Sequence, residues 1–262
     1  MINKEQYLNS FTDLEEKITA SNILDKVNTS LRDHANTFTN FIDMYKISKY
    51  LDMLSCIKDL NVQSFGGYTE SERKMIGFSP YYKELEEGDF PIVALELKLK
   101  NSKYCNISHR DYLGSILSLG IDRKKIGDIL VLENRAIVFI CEEVSNYILT
   151  NLSKIKNVKA QTSVISLNEI TIPPPKIKEV FSTVSSLRVD TVLSSGFNLS
   201  RSKVVDLIKA EKALINGIIA QPSSNVKCGD YLTLRGFGKI KLNEVRGKTK
   251  KGRISVVIHC YK

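Results

Sequence analysis

Three consecutive prolines, Pro173-Pro174-Pro175, split this chain into stretches that cannot share one run of secondary structure. Proline fixes its own φ, donates no backbone hydrogen bond and pushes the preceding residue toward extended backbone. A triple proline therefore ends a helix, is excluded from a central strand and favours an extended spacer. The charge changes sign at the same place. From Lys176 to Lys262 there are 17 Lys and Arg against 6 Asp and Glu, a balance of +11. Residues 1–175 hold the remaining 21 and 23, a balance of −2, so the whole net charge of +9 comes from the last third. Segregation over so long a segment favours a phosphate-binding module over an incidental solvated face.

A chain of 262 residues allows one large domain or two to three small ones, and 42% hydrophobic residues let each part bury a core. Five cysteines, Cys56, Cys105, Cys141, Cys228 and Cys260, form no CxxC pair and have no His at ligand spacing. Zinc and disulfide frameworks are therefore not expected, and no metal or other cofactor is expected. The segment from Met1 to Glu16 is polar and acidic, and no uninterrupted apolar stretch approaches 18 residues. A cytoplasmic protein without a signal peptide or membrane span is the expectation.

Residues 3 to about 60 are expected to be helical, because Ile42, Tyr45, Leu51, Leu54 and Ile57 recur at roughly helical spacing. Neither Pro nor Gly precedes Gly66, which suits an N-terminal helical region over 1–75. Gly66-Gly67 and then Ser79-Pro80 mark an irregular connection. From Phe90 the pattern changes: a strand over 91–99, a helix over 109–119 closed by Gly120, strands over 128–132 and 136–141, a helix over 144–155 and a strand over 158–167. The order β-α-β-β-α-β is the split βαβ arrangement of ferredoxin-like, RRM-like domains, placed at 76–172. Beyond the prolines, a small domain over 180–262 opens with helices over 187–194 and 201–210. Strands are expected at 213–219, 231–234, 239–245 and 253–261. The class is α+β.

One constellation in that last domain carries chemistry. Ser200 is a good N-cap, and Arg201, Ser202 and Lys203 fill the first turn of the helix behind it. A helix N-terminus offers unpaired N–H groups and partial positive charge, which suit a phosphate oxygen. Arg188 can join them if the two helices form a hairpin held by Val189, Val192 and Leu193 against Val204, Leu207 and Ile208. Asn216-Gly217 is a hairpin-turn signal. Arg235-Gly236-Phe237-Gly238-Lys239 puts two basic residues around a flexible turn, where Phe237 either stacks on a base or, the favoured alternative, closes the small core. Lys248, Lys250 and Lys251 sit in a glycine-bounded basic segment that is either a solvated turn or, as favoured here, a phosphate contact.

The string Leu187-Arg188-Val189-Asp190-Thr191-Val192-Leu193, Leu199-Ser200-Arg201-Ser202-Lys203, Leu207-Ile208-Lys209, Leu214-Ile215-Asn216-Gly217 and Val226-Lys227-Cys228-Gly229-Asp230 resembles the S-four RNA-binding domain. The resemblance implies that Arg188, Ser200 to Lys203, Lys209, Asn216, Lys227, Arg235, Lys239, Lys248, Lys250 and Lys251 contribute to RNA binding. The chain departs from that pattern at Ala210-Glu211, where many such domains carry Gly. Three further segments, Phe65 to Arg73, His109 to Gly114 and Leu119 to Ile129, are similar to the bacterial YlmH family, as is the ending Gly247 to Arg253. That resemblance implies a ribosome-associated RNA-binding protein whose partners are rRNA, tRNA and the large subunit, in quality control of stalled translation; a monomer is the expectation. It also implies a link to cell division.

Arg73, Arg110, Arg123, Lys124 and Lys125 are candidates for a second RNA surface; alternatively Arg110 and Asp111 simply open a helix. His109-Arg110-Asp111 matches three letters of a kinase catalytic loop, but Ile116 stands where that loop needs a magnesium-binding Asn. The middle segment lacks the aromatic strand motifs of base-stacking RRM sheets, and Phe139 is expected in a core. A non-catalytic RNA-binding factor is the favoured function. The alternatives are an RNA-modifying enzyme, against which the absence of GxGxxG counts, and an adaptor for cell-division proteins.

Overall fold

The computed structural model describes residues 3–100, 107–172, 177–250 and 252–261. Pro173 to Pro175, Cys105 and Lys251 lie outside the described residues. Residues through Ile172 form one compact unit and those that follow form a second.

The first unit opens with α1 (Lys4–Leu8) and α2 (Leu14–Asp33). Asp13 caps α2 by accepting from the Glu16 N–H at 2.8 Å, and His34 ends it in the left-handed conformation. The expected helical run then breaks. Two-residue strands β1 (Thr37–Phe38) and β2 (Ile42–Asp43) precede α3 (Met44–Leu54), and a hairpin of β3 (Leu60–Phe65) and β4 (Arg73–Pro80) follows. The cause is β4: its Met75, Ile76 and Phe78 are buried and its backbone needs partners on both edges. Strand β3 supplies one edge and β1 and β2 share the other. Residues 1–75 are thus helices packed on a sheet, and the expected boundary at 75 falls inside β4. Ser79-Pro80 ends that strand rather than forming an irregular link. Ile23, Leu24, Val27 and Tyr50 from α2 and α3 fill the core against Ile76 and Phe78.

The middle segment follows the expected order. Strand β5 (Ile92–Leu99), α4 (His109–Leu117), β6 (Ile126–Val131), β7 (Arg135–Cys141), α5 (Ser145–Asn151) and β9 (Val158–Ile165) appear in turn, with a two-residue β8 (Lys154–Ile155) added. The antiparallel sheet runs β6-β7-β5-β9-β8, the ferredoxin-like arrangement. Tyr112, Ile116 and Ile148 from α4 and α5 pack on one face against Leu95, Leu97, Val138 and Ile140. The opposite face, which an RRM offers to RNA, is covered: Ala94, Ile137 and Phe139 pack with Phe41, Phe65, Met75 and Phe90.

The second unit begins with a strand the sequence did not announce, β10 (Ile177–Val184), three residues before the expected domain start. Helices α6 (Val189–Phe197) and α7 (Arg201–Lys209) follow, then β11 (Ala213–Ile215), β12 (Ile218–Ile219), β13 (Tyr231–Leu234), β14 (Gly238–Lys248) and β15 (Ile254–Tyr261). The sheet order is β10-β15-β14-β13-β11-β12, antiparallel throughout. Val192, Leu193, Val204 and Ile208 bury against Leu232, Leu234, Ile240, Leu242, Val256 and Ile258. The whole chain is an α+β protein.

Candidate nucleic-acid interface

Helix α7 starts as its sequence demands. The Ser200 hydroxyl accepts from the Lys203 N–H at 3.3 Å, and Ser202 Oγ lies 3.3 Å from Ser200 Oγ. The residue that organises this end is Asp190, in the first turn of α6 and 1% exposed. Arg201 donates to Asp190 Oδ2 from Nε at 2.9 Å and from a terminal nitrogen at 2.8 Å. Arg188 donates to both carboxylate oxygens at 3.2 Å, and the Thr191 hydroxyl donates to Oδ1 at 3.1 Å. Burial alone would raise the Asp190 pKa; hydrogen bonds from Arg201 and Arg188 outweigh it and hold the carboxyl below the ordinary aspartate value.

One buried carboxylate thus fixes two guanidinium groups whose side chains remain 38% and 53% exposed. The cluster carries a net charge of +1 beside the N-terminus of α7, an arrangement suited to phosphate oxygens. Sequence reasoning named both arginines but missed Asp190. An acid set among Val189, Val192 and Leu193 was the available signal.

Lys203 Nζ lies 5.5 Å from the centre of the Phe237 ring, which also sits 6.2 Å from Phe197. Phe237 is 41% exposed, so the expectation that it closes the core is corrected: it stands on the surface at the β13–β14 turn between Gly236 and Gly238, both with positive φ. Lys209 and Arg235 are exposed. Lys239 Nζ lies 4.7 Å over the Tyr231 ring, and Lys248 and Lys250 are exposed around the β14–β15 turn.

Asn216 has a local duty. With φ 48 it forms the β11–β12 turn, donates to Asp230 Oδ1 at 2.8 Å and accepts from the Tyr231 N–H at 2.9 Å. Lys227 gives its backbone N–H to Asp230 Oδ2 at 2.7 Å, leaving its ammonium group exposed. Where many S-four domains carry Gly, Glu211 takes the left-handed conformation at φ 56 and closes α7 without it.

The second group of basic candidates does not form one surface. Arg73 is only 12% exposed, forms an ion pair with Asp43, and donates to the carbonyls of Ile126 at 3.0 Å and Phe41 at 3.1 Å. Its expected surface role is corrected: it joins the N-terminal sheet to the middle domain. Arg123 is likewise turned inward to the carbonyls of Ile126 and Gly127, and burial and the nearby Arg73 lower its pKa. Lys125 pairs with Glu143 and donates to Asn40 at 2.8 Å. Arg110 and Lys124 remain exposed. Asp111 forms a capping box with Ser108, whose N–H and hydroxyl both donate to it at 2.8 Å, which resolves that acid as a helix opener.

Among the described residues no cluster could hold a metal ion, and no helix is long and apolar enough to cross a membrane. Cys56, Cys141, Cys228 and Cys260 are free thiols.

Comparison with known proteins agrees with this architecture. Residues 86–169 match the family described as "Putative RNA-binding domain in YlmH", and residues 187–231 match the S4 domain. The chain is 31% identical over 217 residues to the "Ribosome-associated protein quality control protein P2" of Bacillus subtilis (strain 168), covering 79% of this chain and 84% of that protein. A solved structure, "Cell division protein ylmH from Streptococcus pneumoniae", is similar with a TM-score of 0.51 and 25% identity, over 61% of this chain and 96% of that one. With both domains matched in order and a relative covered over most of its length, the chain belongs to the YlmH family of RNA-binding proteins with a C-terminal S4 domain.

Proposed function

We propose that this protein is a non-catalytic factor that docks on rRNA and tRNA of the large ribosomal subunit during quality control of stalled translation. The observation that carries the proposal is the pair of guanidinium groups held on Asp190 at the start of α7, with Lys203 beside them. These groups recognise phosphate geometry rather than base edges, which suits docking on folded RNA. The name of the Bacillus relative supports the ribosomal setting. Asp111, Asp128 and Asp190 each hold backbone or arginine groups in place, which supports a binding rather than a catalytic role for these three acids.

The test is ribosome co-sedimentation of the full chain carrying Lys203→Glu and Lys209→Glu. Both side chains are exposed and neither forms an ion pair among the described residues, so the fold is retained, as circular dichroism would check. Binding at moderate salt is expected to weaken at least tenfold, and the salt slope to become shallower by about 0.7–0.9 for each phosphate the variant no longer neutralises. Unchanged sedimentation of the folded variant would overturn the proposal.

A further inference from the structure

Period-two alternation sorts the β10-β15-β14-β13 sheet into two faces. The inward residues meet α6 and α7, and Gly196 of α6 comes so near that an added Cβ would lie 2.6 Å from Ile240. Among the described residues of the second unit, no helix packs on the other face, and its cross-strand rows can be read from the register. One row runs Tyr231, Lys241, His259, Glu179; the next runs Thr233, Lys239, Tyr261, Ile177. Phe181 lies two pleats further along β10, opposite Val257.

Aromatic and cationic groups are interleaved on this face. The Tyr231 and Tyr261 rings are 5.9 Å apart, and Lys239 and Lys241 hold their ammonium groups 4.7 and 5.1 Å from the Tyr231 centre. At the other end, the Arg246 guanidinium lies 5.2 Å from the Phe181 ring, which is 63% exposed. Two acids of this face are engaged: Glu244 with Arg246 at 3.0 Å and Glu179 with His259 Nε2 at 3.0 Å.

From this placement we infer that the helix-free face is a second RNA site, which takes unpaired nucleotides. Bases stack on Phe181 and on the Tyr231–Tyr261 pair, while Lys239, Lys241 and Arg246 neutralise the phosphates between them. A flat aromatic ring accepts the π-face of any base, and a cation beside it serves the adjoining phosphate; sheet faces and grooves that bind single strands combine these two elements. Duplex RNA hides its base faces and cannot use such a site. The inference rests on the reading of the chain as an RNA-binding protein but places this contact on a face of the domain other than the α7 end.

The chain has no tryptophan, so F181W introduces a single emitter at an exposed position. Titrating this full-length variant with a 12-nucleotide oligouridine RNA is expected to quench its emission, whereas a 12-base-pair RNA duplex leaves it unchanged. Adding Lys239→Glu and Lys241→Glu should weaken the oligouridine interaction roughly tenfold or more, while Lys203→Glu with Lys209→Glu should leave the quenching in place. Oligouridine that binds by anisotropy without quenching, or no binding at all, would overturn the site. So would emission that changes with protein concentration alone, which would assign the face to a second copy of the chain. Lost ribosome sedimentation in the α7 variant without quenching here defeats only the sheet site; quenching with intact sedimentation of that variant defeats only the α7 docking proposal.

Discussion

Asp190 is too deeply buried to touch RNA, yet the position of two basic groups depends on it. Its arginine partners are partly solvated, so removing the carboxylate strands no fully buried cation. For that reason the cost of Asp190→Asn at neutral pH is expected to be about 1–2 kcal/mol, below the roughly 3–5 typical of breaking a fully buried pair. The pH dependence has a definite sign. A carboxyl whose folded pKa lies below its unfolded value, near 3.9, contributes stability that is present above about pH 4 and lost as pH falls through the folded pKa. Urea unfolding at pH 7 and pH 3 should therefore show the gap between the wild type and D190N narrowing on acidification. A gap of equal size at both values would mean that the carboxylate's charge is not what stabilises the hairpin.

At the scale of elements, the β3–β4 turn shows what the family-like segment Phe65 to Arg73 does structurally. Gly66 and Gly67 are required by close approach: an added Cβ would lie 2.2 Å from the Arg73 carbonyl oxygen or 2.2 Å from the buried Phe139 ring, and Gly67 also has φ +99. Tyr68 donates its hydroxyl to Asp128 Oδ2 at 2.8 Å, and the same carboxylate accepts from the Glu72 and Arg73 N–H groups at 2.7 and 3.1 Å. Burial and the Asp128 charge push the Tyr68 pKa well up, so the phenol stays a donor. Gly67→Ala is expected to cost about 2–4 kcal/mol, because neither a packed ring nor a left-handed backbone can yield cheaply. Gly114→Ala on the exposed face of α4, where an added Cβ meets nothing within 4 Å, should instead stabilise by about 0.5–1 kcal/mol. Thermal melts of the two variants in parallel check both signs; a neutral G67A would refute the close-packing account.

The same turn marks the limit of what the sequence could disclose. The middle domain was legible because its strands are β-branched runs bounded by turn residues, and Ser200 was legible because a cap is a local signal. Strands β1 and β2 were not, since two residues have no period and exist only as partners of β4. Arg73 read as a surface cation because its partners Asp43, Phe41 and Ile126 lie 30, 32 and 53 positions away. Strand β10 hid behind the triple proline, its Val180, Ser182 and Val184 alternation too short to outweigh the charged residues around it.

For the whole molecule, the decisive quantity is where uncompensated positive charge remains once internal pairs are formed. The first unit engages Arg73, Arg123 and Lys125 with its own carbonyls and carboxylates, leaving Arg110 and Lys124 exposed in a segment whose balance is −2. The second concentrates +11, with Asp190 held by Arg188 and Arg201 and Glu244 held by Arg246. Counterion release scales with the number of phosphates neutralised, so the salt dependence of RNA binding should be set almost entirely by the second unit. In the full chain, Lys248→Glu with Lys250→Glu is expected to flatten the log–log salt slope by about 1.4–1.8, the change that follows when two phosphates keep their counterions. Arg110→Glu with Lys124→Glu should leave the slope within experimental error, so that any contact by the YlmH-type middle domain depends on shape and not on charge. If the middle-domain pair flattens the slope more than the C-terminal pair, the electrostatic footprint lies on the wrong unit and the charge segregation that divides the sequence has no part in RNA affinity.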